Sequence, residues 1–399
     1  MIDIDEALQL VLAQCRPLAS QRRPVENAIG YALAEDVAAD VDSPPHDKSL
    51  VDGFAIRTED AGRELQVLEQ VVAGAVPTQA IQAGTCSQVM TGAPIPDGTQ
   101  AMVMVEDTVA LNGGANVRVG GTVQSGQHIM RAATIFANGS VVLSAGKVIR
   151  PIEVGLLCEV GRDEVWCTEK PRVAVLPTGD ELVPASQVPA AGQIRNSNGP
   201  MLCSRVTSTG CEAISLRVGH DNEAELRAQI EQGLEADILV LSGGVSAGVR
   251  DLVPPTLKSL GVQEVFHKVR LKPGKPIWFG VRDVDGKRTL VFGLPGNPVS
   301  SLVCFELFVR PAIRAMSAME PNVETMPVRL ASPFMQKGNR PVYFPGTLHR
   351  EEGRLFATPV AWKGSADMLT VCSADCLIFF PAEAREFGIG EKMTAIPIE

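Results

Sequence analysis

The sequence is short of the features that mark nucleic-acid, membrane and redox proteins. Its 399 residues carry 36 Lys and Arg against 46 Asp and Glu, a formal net charge of −10. That sign is wrong for a chain whose affinity rests on phosphate-backbone contacts, so no nucleic-acid partner is expected. It leaves room for a small anionic ligand, because a few local lysines outweigh a global balance. No apolar run reaches the roughly 18 residues of a membrane span, so no membrane association is expected. The N-terminus, MIDIDEALQLVL, is acidic and lacks a cationic signal region, so a cytoplasmic location is expected. The 9 cysteines include no C-x-x-C pair, which argues for buried reduced thiols over zinc or dithiol chemistry. The 5 histidines are scattered, which argues against a histidine-based metal site.

What is present is a globular chain, 45% hydrophobic and 21% charged. Its length exceeds one ordinary core and predicts roughly two to four domains. Apolar residues at Ile4, Leu8, Leu12 and Cys15 predict an amphipathic helix from Asp3 that ends before Pro17. The stretch SPPHDKSLVDGFAIR reads as an extended loop entering a strand at Phe54-Ala55-Ile56, with Asp52 at the junction. Short β-type runs follow, broken by Gly and Pro, and predict an inserted β-domain at about 50–140. Thr91 lies in its most marked loop. Read alone, Asp52 and Thr91 are equally well turn residues.

From Pro171 the pattern changes to alternating strands and helices. Strands are predicted at 173–176, 213–218, 238–241 and 289–292, with helices at 198–208 and 222–234. A further helix begins with Asn297 as N-cap and Pro298 as first residue and runs to about Ala315. Such alternation predicts a mostly parallel sheet covered on both faces. Each strand delivers a polar, glycine-rich cluster at its carboxyl end: Thr178-Gly179-Asp180-Glu181, Gly219-His220-Asp221, Ser242-Gly243-Gly244 and Gly293-Leu294-Pro295-Gly296-Asn297. Open α/β sheets bind ligands on that edge. The Ser242-Gly243-Gly244 loop suits a phosphate, and Asp251 places a carboxylate where a hard cation could bridge to it. Downstream, HKVRLKPGKP concentrates cations around a rigid turn and suits a phosphate or a metal oxyanion. From Glu324 short strands return, predicting a small C-terminal β-domain with Ser365 in its polar loop.

These motifs, PPHDKSLVDGFAIR, VMTGAPIPDG, PTGDEL, GQIRNSNG, LSGGVSAGVRD, KVRLKPGKP, GLPGNPVS and GSADMLT, come in the order of one family. The chain resembles the molybdopterin molybdenumtransferases, the MoeA and gephyrin E-domain family, along essentially its whole length. The resemblance implies a multidomain α/β protein. It comprises an N-terminal α+β region over 1–168 with the inserted β-domain, a central doubly wound molybdopterin-binding-like domain over 169–320, and a C-terminal β-barrel over 321–399. It implies a homodimer with its cleft lined by both subunits, serving alongside molybdopterin adenylyltransferase and other proteins of cofactor biosynthesis. The implied reaction takes adenylylated molybdopterin and molybdate, releases AMP and leaves molybdenum on the dithiolene, with Mg²⁺ assisting.

The resemblance also implies roles for particular residues. Asp180, Glu181, Asp221 and Asp251 match its acidic positions, and Glu181, Asp221 and Asp251 are the expected Mg²⁺ ligands. Ser242, Gly243, Gly244 and Ser246 would cradle the pterin phosphate. Lys268, Lys272 and Lys275 would hold molybdate or the phosphoanhydride. Pro295, Pro298 and Ser300 would shape the adjoining loop. Ser365 would come from the C-terminal domain, and Asp52 and Thr91 from the partner subunit. No nucleophile stands beside a base, so metal-assisted transfer is expected rather than covalent catalysis. The chain departs from the family at Ala133-Thr134-Ile135, where Gly-Glu-Asp is usual. Two other readings are an adenylyltransferase sharing the central domain, which the flanking β-domains oppose, and a scaffold of the same fold that binds molybdopterin or a partner without efficient transfer.

Overall fold

Helix α1 (Ile4–Leu12) opens the chain and buries Ala7 and Val11 completely. It stops three residues short of Cys15, where Gln14 and Cys15 close a turn onto Val11 and Leu12. The structure, a computed structural model, describes residues 1–219, 222–244 and 252–398. Strand Ser20–Pro24 then pairs with Glu164–Thr168, so the segments before and after the inserted region close one small sheet. The inserted region is a six-stranded sheet containing Gly53–Ile56, Glu64–Val71, Thr85–Val89, Ala101–Met104 and Asn116–Val119 among its strands. One element went unpredicted here, the helix Pro151–Glu159. Its Glu153 accepts from the Arg150 backbone N–H and guanidinium, closing a capping box through an arginine.

The central layer is built on β1 (Val173–Pro177), whose residues are all buried. Helix α2 (Asn198–Ser208), strand β2 (Ala213–Ser215), helix α3 (Glu223–Gly233) and strand β3 (Ile238–Ser242) follow. Asn222 caps α3 by accepting from the N–H groups of Ala224 and Glu225. Then come α4 (Val253–Ser259), β4 (Gln263–His267), β5 (Trp278–Val284) and β6 (Lys287–Leu294). The spatial order is β2-β1-β3-β6-β5-β4. Strands β2, β1, β3 and β6 run parallel, and β5 runs antiparallel to both β6 and β4. The sheet is therefore mostly parallel, as the alternation predicts, with an antiparallel edge added by β5. The strand predicted over 213–218 ends at Ser215.

Helix α5 (Pro298–Cys304) continues through a π-helical turn, Phe305–Val309, into α6 (Arg310–Met316). The turn places the buried Glu306 between Arg205 of α2 and Arg310, with its carboxylate accepting at 2.6 Å from each. Phe279 and Phe292 pack at a tilt of 37° with centroids 4.8 Å apart in the core beneath. The chain ends in a closed barrel of Met326–Leu330, Arg354–Pro359, Val342–Glu351, Cys376–Phe380 and Lys392–Pro397. No helix among the described residues is long and apolar enough to cross a membrane.

Candidate functional site

The carboxyl ends of β1, β3 and β6 are laced together by backbone bonds. Thr178 N–H donates to Ser242 O at 2.9 Å, and Gly243 N–H donates to Leu294 O at 3.1 Å. Gly243 has φ +94°, and a Cβ there would sit 2.6 Å from Thr178 O, so only glycine fits that turn. Above it opens a chamber of about 600 Å³ lined by Thr178, Glu181, Asn198, Ser242, Gly243 and Gly244 among others. Asn198, at the start of α2, donates its amide to Ser242 Oγ and to Gly296 O, each at 2.7 Å. Because Gly296 O can only accept, that pair fixes the amide orientation and leaves the buried Asn198 Oδ1 without a partner among the described residues.

A second chamber of about 530 Å³ adjoins the first, and the two share Pro276, Pro295 and Asn297 in their walls. Lys272, Lys275, Arg340 and Lys363 line it, and among the described residues no carboxylate does. The Lys272–Lys275 turn is keyed from below. Gly274 has φ +113°, and a Cβ there would lie 2.7 Å from Cys304 Sγ and 2.9 Å from Leu271 Cδ2. The Cys304 thiol, pushed to high pKa by burial, donates to Gly274 O at 3.6 Å. Ser300 also lines this chamber and is only 4% exposed. From the barrel side, Val299 N–H donates to Ser365 O, and Asn297 Nδ2 donates to Ser365 Oγ, both at 3.0 Å. Asn297 occupies the predicted N-cap position, but its side chain makes no capping bond and reaches Ser365 instead.

The predicted residues divide accordingly. Glu181, Ser242, Gly243, Gly244, Pro295 and Pro298 line the first chamber. Lys272, Lys275, Pro295, Ser300 and Ser365 line the second. Asp180 is exposed, and neither it nor Lys268 lines either chamber. Asp221, Ser246 and Asp251 lie outside the described residues. Asp52 and Thr91 lie together on the inserted sheet, away from both linings of their own chain. Thr91 donates its N–H and hydroxyl to Asp52 Oδ1, each at 2.7 Å, and those bonds hold the Asp52 carboxyl below its usual pKa. The departing Ala133 takes φ +58°, a region that favours glycine. Sequence reasoning missed Arg340, Lys363 and Asn198. The motif GQIRNSNG contains Asn198, and its placement ahead of a helix on a strand-end edge was the available signal.

For a divalent cation, Glu181 offers the oxygen donor in the first chamber. Among the described residues no group of three His, Cys, Asp or Glu side chains forms a metal cluster.

A doubly wound α/β layer with its cleft at the strand ends, closed by a barrel loop, defines a multidomain protein of the molybdopterin-binding class. Comparison with known proteins agrees along the chain. Residues 2–161 match the MoeA N-terminal region (domain I and II), residues 174–315 a probable molybdopterin binding domain, and residues 327–398 the MoeA C-terminal region (domain IV). A molybdopterin molybdenumtransferase of Staphylococcus aureus (strain MSSA476) is 31% identical over 407 residues, covering 100% of this chain and 96% of that one. A crystal structure of the molybdopterin biosynthesis MoeA protein of Pyrococcus horikoshii OT3 superposes with a TM-score of 0.84 at 28% identity, covering 100% of both chains. A second structure of the Pyrococcus MoeA protein gives a TM-score of 0.82 at 30% identity, covering 100% of this chain and 99% of that one. The chain belongs to the MoeA family of molybdopterin molybdenumtransferases, with a role in molybdenum cofactor biosynthesis.

Proposed function

We propose that this transferase takes adenylylated molybdopterin and molybdate, lets water cleave the phosphoanhydride to release AMP, and leaves molybdenum on the pterin dithiolene, one molybdate oxygen departing as water with the two thiol protons. The reading is carried by two joined chambers of opposite character. The first offers neutral donors and a glycine turn, which suits the phosphate-bearing part of the substrate. Among the described residues the second gathers four cations and no carboxylate, which suits an oxyanion. The shared wall would bring the dithiolene and molybdate together, which is a matter of positioning rather than of a protein nucleophile.

Within this reading Ser242 and Asn198 orient the phosphate end, and Gly243 and Gly244 let the backbone approach it. Lys272, Lys275, Arg340 and Lys363 hold the oxyanion, with Ser300 and Ser365 supplying hydroxyls. Lys268, outside the chamber, would act at most through the longer-range field. Mg²⁺, when bound with Glu181 among its ligands, would neutralise phosphate charge. Asp221 and Asp251 would complete that set. Asp52 and Thr91 would reach the cleft of a partner subunit, which makes a homodimer the working unit. Since pterin, nucleotide and molybdate are all soluble, the cytoplasm is the proposed location.

The test is AMP release from adenylylated molybdopterin, with and without molybdate and Mg²⁺, for wild type and Lys275→Ala. Molybdate-dependent release that falls about a hundredfold in the variant is expected, from loss of a charged contact. Molybdate binding without AMP release in the wild type would favour a scaffold.

A further inference from the structure

Helix α5 puts its polar side chains to different uses. Ser301 is fully buried, and its hydroxyl donates to Pro295 O. Cys304 donates to Gly274 O and so supports the Lys272–Lys275 turn. Ser300 comes four residues before Cys304, which puts it on the same helix face, one turn nearer the shared wall. It therefore faces the same lysine turn, and it lines the cationic chamber. The residue is only 4% exposed, yet its hydroxyl is not one of the sealed polar atoms of the core. Nor does that hydroxyl make any hydrogen bond among the described residues. An accessible, uncommitted hydroxyl on that face opens into the chamber.

We propose that Ser300 is a catalytic residue of molybdenum insertion, relaying protons from the pterin thiols to the molybdate oxygen that departs. The inference rests on the reading of this chamber as the oxyanion site, and it deepens that reading by supplying the proton path. Insertion forms two Mo–S bonds and breaks one Mo–O bond, and the departing oxygen takes both thiol protons to leave as water. Molybdenum keeps its oxidation state, so no reductant enters. The protons must cross from sulfur to oxygen among charged groups that can only donate, since ammonium and guanidinium have no acceptor capacity. Among the described lining residues, the side chains able both to accept and to donate are Asn297, Ser300 and Ser365. Asn297 Nδ2 and Ser365 Oγ are bonded to each other at 3.0 Å, which leaves Ser300 as the uncommitted one. As the first Mo–S bond forms, Ser300 Oγ accepts the thiol proton while its own hydrogen passes to the molybdate oxygen. The serine ends as it began, with neither an alkoxide nor an oxonium formed. The second thiol proton follows by the same route, and water leaves.

The full-length protein is compared as wild type, Ser300→Ala and Lys275→Ala. Calorimetry reads molybdate affinity, and turnover at saturating molybdate reads the rate at which molybdenum joins the pterin, in water and in heavy water. Alanine removes the hydroxyl and keeps the helix. Ser300→Ala is expected to bind molybdate within about threefold of wild type and to insert molybdenum about a hundredfold more slowly, as for loss of an acid–base group. Its solvent isotope effect should exceed that of wild type, because proton transfer then limits the step. A loss of affinity equal to the loss of rate would make Ser300 a ligand contact, and a slowed rate with an unchanged isotope effect would make it structural. Either result overturns the relay. If Ser300→Ala inserts molybdenum as fast as wild type while Lys275→Ala has lost molybdate, the role of Ser300 is wrong and the chamber reading stands. If wild type fails to bind molybdate, the chamber reading falls and takes this inference with it.

Discussion

The two chambers share a wall and are made by different means. The first is built from neighbouring strand ends: three parallel strands end side by side, and each brings its own turn to the same edge. Its polar groups are mostly neutral and locked to one another, as in the Asn198–Ser242–Gly296 bonds. The second draws Lys272 and Lys275 from one loop, Arg340 and Lys363 from the barrel, and Ser300 from α5. Its charges repel one another and are kept together by the packing beneath and by Arg340, whose guanidinium donates to Leu271 O at 3.1 Å. A site made of backbone turns is prepaid by the sheet, whereas a site made of like charges depends on a scaffold and on its ligand. The chambers should therefore fail differently.

The largest effect is expected where both depend on one support. Glu306 is 3% exposed and holds Arg205 of α2 and Arg310 of α6 together in the π-helical turn that follows α5. Glu306→Gln leaves the buried Arg205 and the half-buried Arg310 guanidinium groups facing a neutral amide in place of their shared carboxylate. A loss of about 3–5 kcal/mol in unfolding free energy is expected, because breaking a buried ion network strands charge. Denaturant unfolding checks it, and the folded remainder should be weakened in both chambers. A cost below about 1 kcal/mol would mean that the chambers do not share this support.

The next pair separates the chambers. Gly243→Ala puts a Cβ 2.6 Å from Thr178 O at φ +94°, and Gly274→Ala puts one 2.7 Å from Cys304 Sγ at φ +113°. Strain of order 1–3 kcal/mol at each site corresponds to roughly 10- to 100-fold in binding. Gly243→Ala should weaken binding of the adenylylated pterin and spare molybdate, and Gly274→Ala should do the reverse. Calorimetry with each ligand separately reads the crossing. Equal losses in both ligands for both variants would show one continuous pocket rather than two.

The same contrast explains what was legible in the sequence. The first chamber was visible because strand, turn and glycine are neighbours along the chain, so Ser242-Gly243-Gly244 and Thr178-Gly179 announced themselves. Half of the second was visible in KPGKP. Arg340 and Lys363 were not, because they sit in loops between barrel strands, where no periodicity marks a position and only the closed barrel brings them to Lys275. Strand β5 was overlooked beside a glycine-rich loop. Its Gly280 reads as a strand breaker, yet a Cβ there would lie 2.4 Å from the Trp278 ring, so packing demands that glycine. The helix Pro151–Glu159 lacked both a clean apolar stripe and a Ser, Thr or Asp cap, and its arginine–glutamate box is a weaker sign.

The smallest effect concerns a place neither chamber of this chain contains. Asp52 is exposed, and its depressed pKa comes from the backbone N–H and hydroxyl of Thr91. Thr91→Val keeps the shape and the N–H but deletes the hydroxyl bond. The Asp52 pKa should then rise part of the way toward its ordinary value, as carboxyl-detected NMR titration would read. The sign follows from linkage: a depressed folded pKa contributes stability that is present above the unfolded value and is lost as pH falls through the folded one. The variant should therefore fall below wild type in stability at pH above the ordinary carboxylate range and converge with it as pH falls through the folded pKa, the difference being small because solvent screens an exposed carboxylate. If Asp52 serves a neighbouring subunit's cleft, the same substitution should also shift the acid limb of AMP release toward higher pH. An unchanged acid limb with a raised Asp52 pKa would confine the Asp52–Thr91 pair to a structural turn.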